Sequence, residues 1–212
     1  MKVEIWSDVV CPFCYLGKKK FENALAQFEY KDQVEVIWHS FQLDPNSHYQ
    51  PGVTITDYLV EHKGYGVEDV KEMNSELKDR GAAVGLTFNF EKALPANTFD
   101  AHRVIHLAGI NQLQNEAEER LFKAYFTEGQ NIEDKETLAK IANEIGLSTN
   151  DVADLLAGDR FTDEVKRDIH DSKSLGIKGV PFFLIDEKFS VSGAQESNYF
   201  LRALTKAWVE EV

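Results

Sequence analysis

Sulfur is scarce in this chain, with two cysteines and two methionines among 212 residues. A single cysteine pair cannot supply the disulfide framework on which small secreted domains rely. Basic charge is also short: 23 Lys and Arg against 36 Asp and Glu leave a formal charge of −13. Nucleic acids and anionic membranes are gripped through clustered Lys and Arg, so neither is expected as a partner. The one basic run, "GKKKF" at 17–21, is too short to reverse that, and Lys18, Lys19 and Lys20 read as a solvated face. No window approaches the roughly 18 uninterrupted apolar residues of a membrane span. Internal repeats and low-complexity tracts are absent as well, which excludes solenoids and arrays.

The opening "MKVEIWSDVVCPF" carries one Lys and then an alternating segment broken by Glu4 and Asp8. It has neither the apolar stretch nor the small-residue cleavage site of a secretory leader, so the expected compartment is a reducing cytoplasm. There, a cysteine pair is catalytic, metal-binding or incidental, not a structural staple. Hydrophobic residues at 43% and charged residues at 28% suit a chain able to bury a core. The length fits one large domain or a domain with an insertion.

What is present is ordered. "KVEIWSDVV" (2–10) alternates like a strand, and Phe13, Leu16, Phe21, Leu25 and Phe28 recur at near-helical spacing behind Pro12. "QVEVIWHSFQL" (33–43) is a second strand, which makes a βαβ unit with its two strands parallel. After the loop "DPNSHYQPG" (44–52), nearly everything from Ile55 to Ser174 reads as helix, most segments ending in Gly. "GIKGVPFFLIDEKFSVSGA" (176–194) reads as a β-hairpin. "QESNYFLRALTKAWVEE" (195–211) closes as an amphipathic helix with Phe200, Leu201, Leu204 and Trp208 on one face. Strands at both ends around a helical block of about 110 residues describe a small sheet domain interrupted by a helical one, since neither end alone buries its sheet.

Both cysteines fall in "WSDVVCPFCYLG" (6–17), three positions apart. Cys11 sits where the first strand hands over to the helix, beside first-turn N–H groups that have no intrahelical acceptor. Those groups favour an anion, so Cys11 is the expected attacking thiolate. Cys14 follows one turn later on the same face at about 5–6 Å, a separation a disulfide accepts, and is the expected resolving thiol. Pro12 removes one N–H and stiffens the loop between the sulfurs. The pair between two such cysteines tunes a reduction potential that ranges from about −270 to about −120 mV among related couples. Other readings are a zinc half-site and two buried structural cysteines. Zinc lacks its other ligands: there is no second Cys pair and no His-x3-His spacing, so no metal is expected.

Weaker signals lie elsewhere. Pro181 opens a strand in "GVPFFLI", a place where a proline's missing donor is tolerated. Phe13 offers apolar surface to a substrate. His39 and His102 are candidate polar groups near the sulfurs, although each also reads as an ordinary hydrogen-bonded histidine, and Asn97 reads as a helix N-cap. Trp6 and Trp38 are expected in the sheet core.

"CPFC" after an N-terminal strand, a helical insertion, and a late "GVPFF" before a hairpin and helix resemble DsbA-like thiol–disulfide oxidoreductases. "SDVVCPFCYLG", "WHSFQLDP" and "NTFDAHR" are similar to the FrnE-type branch, and the resemblance spans essentially the whole chain. It implies an α/β thioredoxin-like fold (βαβ…ββα) from residues 1–50 and 161–212, with an all-helical insertion at 51–160. It also implies a cis Val180–Pro181 bond packed against the cysteines and a Val180 backbone that pairs with an extended stretch of substrate. "NTFDAHR", with His102, would face the active site.

The implied activity is disulfide exchange with a disulfide- or thiol-bearing protein or small molecule, without a cofactor beyond the cysteine pair. Glutathione is a candidate co-substrate and a second copy of the chain a candidate partner. Two departures stand out: the leader of periplasmic DsbA proteins and the extra cysteine pair of some FrnE proteins are both missing. The branch also resembles kappa-class glutathione transferases and 2-hydroxychromene-2-carboxylate isomerases, in which a serine typically takes the place of Cys11. The alternative function is therefore a glutathione-dependent transferase or isomerase acting on a small aromatic molecule.

Overall fold

The computed structural model describes residues 1–209, so Glu210 and Glu211, assigned above to the last helix, lie outside the described residues. The chain divides into two compact units, one of residues 1–43 with the stretch from Val165 onward, the other Asp44–Glu164.

The first unit begins with β1 (Lys2–Ser7), α1 (Pro12–Leu25) and β2 (Glu35–Ser40). Both strands are shorter than their alternating segments, because the backbone turns at Asp8 to start α1 and leaves the sheet after Ser40. The helical unit contains α2 (Ile55–Lys63), α3 (Val67–Ala82), α4 (Phe99–Ile110), α5 (Gln114–Lys123), α6 (Lys135–Glu144) and α7 (Thr149–Ala157). Several begin on a side-chain cap: Thr54 forms a reciprocal capping box with Asp57, and Asp134 and Ser148 cap α6 and α7. Asn97 stands one residue outside the N-cap position of α4, with its side-chain oxygen accepting from the Phe99 N–H at 3.0 Å. α5 runs on into a π turn at Ala124–Glu128 that ends at Gly129, where φ is +70°. Near that turn, the Phe126 and Thr127 carbonyls accept from the backbone and side-chain N–H of Asn89.

The chain then forms α8 (Thr162–Ser174), β3 (Phe182–Ile185), β4 (Phe189–Ser192) and α9 (Ser197–Val209). Among the described residues, four strands form one sheet in the order β2-β1-β3-β4. β1 and β2 run parallel, and β3 and β4 run antiparallel to their neighbours. The sheet and its flanking helices are the thioredoxin-like arrangement that the family resemblance implied.

Strand alternation sorts the side chains onto two faces. Ile5 stands opposite Phe183 across β1 and β3, and Phe183 meets Phe21 of α1 and Phe200 of α9 at ring separations of 5.5 and 4.6 Å. All four side chains are buried, and each contributes about 1.5–3 kcal/mol by leaving water. The opposite face carries Glu4, Trp6 and His39, and α8 lies against it through Asp168. α9 keeps Phe200, Leu204 and Ala207 inward, whereas Leu201 borders a shallow apolar strip with Thr205 and Val209. No helix among the described residues is long and apolar enough to cross a membrane.

Candidate active site

Cys11 is the N-cap of α1 with extended backbone angles (φ −92°, ψ 112°), and Pro12 takes the first helical position. Proline fits there because its fixed φ suits a helix and its missing N–H would have had no partner. A turn closed by the Cys11 N–H and the Asp8 carbonyl at 2.9 Å delivers the chain from β1 into α1. The Cys14 N–H then donates to the Cys11 carbonyl at 3.0 Å, so the two residues share one tight turn.

Both cysteines are free thiols, Cys11 4% exposed and Cys14 0%. Burial pushes the Cys14 thiol well above its ordinary pKa, and the adjoining Cys11 sulfur adds to the rise. The Asp8 backbone N–H and the Ser7 side chain act in the opposite sense without overcoming it. Cys14 therefore holds its proton, and the sulfur nearer the surface is Cys11.

The third component comes from the other end of the chain. The Cys11 thiol donates to the Val180 carbonyl at 3.6 Å, across 169 residues of sequence. The Val180–Pro181 peptide bond is cis. Pro181 is buried, and its carbonyl accepts from the Gly193 N–H at 2.8 Å, which fixes the entrance of β3 to the end of β4. Pro12, Phe13 and Val180 are half-buried. The fold thus brings Cys11, Cys14, Val180 and Pro181 together.

His39 occupies a different setting. Its Nδ1 is 2.8 Å from an Asp168 carboxylate oxygen and its Nε2 is 3.2 Å from Glu4. The other Asp168 oxygen accepts from the Ser40 N–H at 2.8 Å. The Trp6 indole stacks on the imidazole at 4.5 Å and donates to the Asp168 carbonyl. Lys2 pairs with Glu4 at 3.1 Å. Both ring nitrogens of His39 therefore face carboxylates, and the cluster fastens α8 to β1 and β2.

Burial works to lower the His39 pKa, but the carboxylates of Asp168 and Glu4 outweigh it and hold the pKa above its ordinary value. A raised histidine pKa contributes stability that is complete below the unfolded value of about 6.5 and is lost as pH rises through the folded value. Urea unfolding is accordingly expected to show a His39 contribution that declines above about pH 6.5. His39→Gln should flatten that part of the profile. An unchanged slope in the variant would refute the assignment.

His102 belongs to the helical unit, buried in α4 with its N–H donated to the Thr98 carbonyl. Trp6 and Trp38 are buried. Lys18 and Lys20 correct the reading of a solvated face: they are 1% and 4% exposed, paired with Glu22 at 2.6 Å and with Glu196. Their aliphatic stems are the physical reason, since a long lysine can bury its methylenes while its ammonium finds a carboxylate. Three further buried residues shape this unit. Asp8 is 1% exposed and accepts from the Leu43 N–H at 2.8 Å. Asp168 carried a signal in its spacing, falling with Val165 and Ser172 on the buried stripe of α8. The third is Gly17, on the buried side of α1. Among the described residues, no group of three or more His, Cys, Asp or Glu is arranged to hold a metal ion.

The four-stranded sheet, its flanking helices and the cysteine pair at the head of α1 place the chain in the thioredoxin-like class. The chain belongs to the family of DSBA-like thioredoxin domains, whose family model matches residues 2–205, and it is a DsbA-like thiol–disulfide oxidoreductase. It is similar to the solved structure of the probable DsbA oxidoreductase SCO1869 from Streptomyces coelicolor, at 36% identity and a TM-score of 0.94. That match covers 100% of this chain and 92% of the other. The Bacillus subtilis (strain 168) protein YwbO is 29% identical over 205 residues, which cover 96% of this chain and 95% of its own. A 2-hydroxychromene-2-carboxylate isomerase shares the fold at 16% identity and a TM-score of 0.71, covering 100% of this chain and 97% of its own.

Proposed function

We propose that Cys11 and Cys14 are the redox couple of this oxidoreductase. The observation that carries the reading is the pairing of the helix-capping Cys11 thiol with a fully buried Cys14 that keeps its proton. As a thiolate, Cys11 attacks one sulfur of a substrate disulfide. A Cys11–substrate S–S bond forms, the substrate S–S bond breaks, and the departing sulfur leaves as a thiolate that takes up a proton. Cys14 then gives up its proton and attacks the Cys11 sulfur, forming the Cys11–Cys14 disulfide and releasing the second substrate thiol. Two electrons pass from the protein to the substrate. Two molecules of glutathione, or one dithiol protein, return them by the reverse sequence in a cytoplasmic setting.

Val180 supports the docking half of the reading. Its backbone lies beside the Cys11 sulfur and immediately before β3, where an extended substrate segment can pair with it. The half-buried Pro12 and Phe13 give that segment an apolar border.

Cys14→Ser tests the order of events. It removes the resolving thiol and leaves the attacking one, so incubation with oxidised insulin or glutathione disulfide should accumulate a mixed disulfide on Cys11, read by intact mass. No adduct on Cys11 would overturn the assignment. Saturable glutathione binding by the intact protein without any dithiol turnover would instead favour a glutathione-dependent transferase or isomerase.

A further inference from the structure

Gly17 stands in the interior of α1, where alanine would be the better helix former. Its place is explained by what lies against it. A Cβ built at Gly17 would stand 2.8 Å from Pro181 Cγ and 3.5 Å from Pro181 Cβ, with the Ala194 Cα at 3.6 Å on the same side. Carbon atoms that are not bonded approach to about 3.5–4.0 Å, so 2.8 Å demands a displacement. The proline ring cannot rotate aside as a flexible side chain would, so relief requires a backbone displacement. α1 is held to the sheet by Phe21 against Phe183, and Pro181 is a closed ring whose carbonyl is bonded to Gly193. The element that can move is the segment just before β3, and the residue next to Pro181 there is Val180.

We propose that Gly17 is a positioning residue: its missing side chain lets α1 rest on Pro181 and thereby sets the place of the Val180 backbone beside the Cys11 sulfur. The proposal deepens the docking role given to Val180 above and rests on that reading. A side chain at position 17 pushes Pro181 away from α1, and Val180 moves with it. Cys11, at the head of the same helix, stays where the turn from Asp8 puts it. A protein disulfide needs both the sulfur and the backbone next to it, whereas a small disulfide needs only the sulfur.

The test compares two substrates on Gly17→Ala. With insulin, KM should rise about tenfold while kcat changes by less than about threefold, as expected when the loss is in binding. With hydroxyethyl disulfide, kcat/KM should remain within about twofold of the unmodified protein. Gly109→Ala in α4 is the control for helix propensity, because a Cβ there meets only the Gln114 side chain at 3.5 Å, and it should leave both substrates unchanged.

A cycle with Pro181→Ala, which removes the clashing Cγ, completes the test: adding Gly17→Ala in that background should cost less than about twofold further. If Gly17→Ala does not fold, recovery of folded protein in the double variant supports the contact, and failure to recover overturns it. An unchanged KM for insulin, an equal loss on both substrates, or full additivity in the cycle would each overturn the positioning role. Inactivity of the unmodified protein on both disulfides would count against the redox assignment of the cysteine pair, which is a separate failure.

Discussion

Serine in place of Cys11 is expected to slow disulfide exchange at least about a thousandfold, equivalent to about 4 kcal/mol of transition-state stabilisation. The replacement is nearly isosteric and its hydroxyl can still donate toward the Val180 carbonyl, as the thiol does at 3.6 Å. Folding should therefore be undisturbed, and the whole effect falls on chemistry. A serine hydroxyl at neutral pH offers almost no oxyanion, and it cannot form the S–S bond of the mixed disulfide. Cys14 cannot take over the attack, because its sulfur is fully buried and burial holds its proton in place. Insulin reduction with glutathione as electron donor measures the loss, and thermal melting of the same preparation checks the fold. Substantial activity in Cys11→Ser would show that another group is the nucleophile.

The largest stability effect is expected at Asp168. Its carboxylate is buried, one oxygen on His39 and the other on the Ser40 N–H, while its backbone carbonyl receives the Trp6 indole. Asp168→Ala leaves the imidazole against Glu4 alone and strips the Ser40 N–H of its acceptor. Removing one partner from a buried charged cluster costs about 3–5 kcal/mol, because the remaining groups stay desolvated without compensation. Asp168→Asn should fall between, since it keeps an acceptor but no charge to hold the His39 pKa up. Trp6, Trp38 and Trp208 all belong to the sheet unit, so tryptophan fluorescence during urea unfolding follows that unit. A loss below about 1 kcal/mol in Asp168→Ala would mean that the cluster is not what fastens α8 to the sheet.

These two expectations differ in how far they could be read from the sequence. Cys11, Pro12 and Cys14 are local: three residues at a strand-to-helix junction specify a helix start, and the helix repeat alone puts the sulfurs on one face. The hairpin was local too, marked by two short apolar runs around Glu187-Lys188, although both Asp186 and Glu187 adopt positive φ to make the turn. Element ends were less legible. A strand stops where its hydrogen-bond partner does, and β2 has partners only from Glu35 to Ser40 despite apolar residues on either side.

Asp168 shows the intermediate case. Its spacing with Val165 and Ser172 marks a buried helix stripe, yet nothing nearby says which group an acid on that stripe would meet. Its partner His39 is 129 residues away, on a strand whose own pattern leaves the ring equally free to face solvent. Lys18 and Lys20 mislead for a related reason: charge on a helix reads as exposure until an apolar surface is found for the stems.

Taken alone, the amino-acid order determined the periodicities, the place of the cysteine pair at a helix start, and the strand-rich ends around a helical middle. Hydrophobic period and helix capping act over a few residues, so they are written in consecutive letters. The sheet order β2-β1-β3-β4 is different in kind. By seating β3 beside β1 it brings the Val180 carbonyl to the Cys11 sulfur and presses Pro181 onto Gly17, while α8 packs on the β1–β2 face and buries Asp168 against His39. Each of those contacts depends on ångström-scale packing between segments more than a hundred residues apart, and only the folded chain decides it.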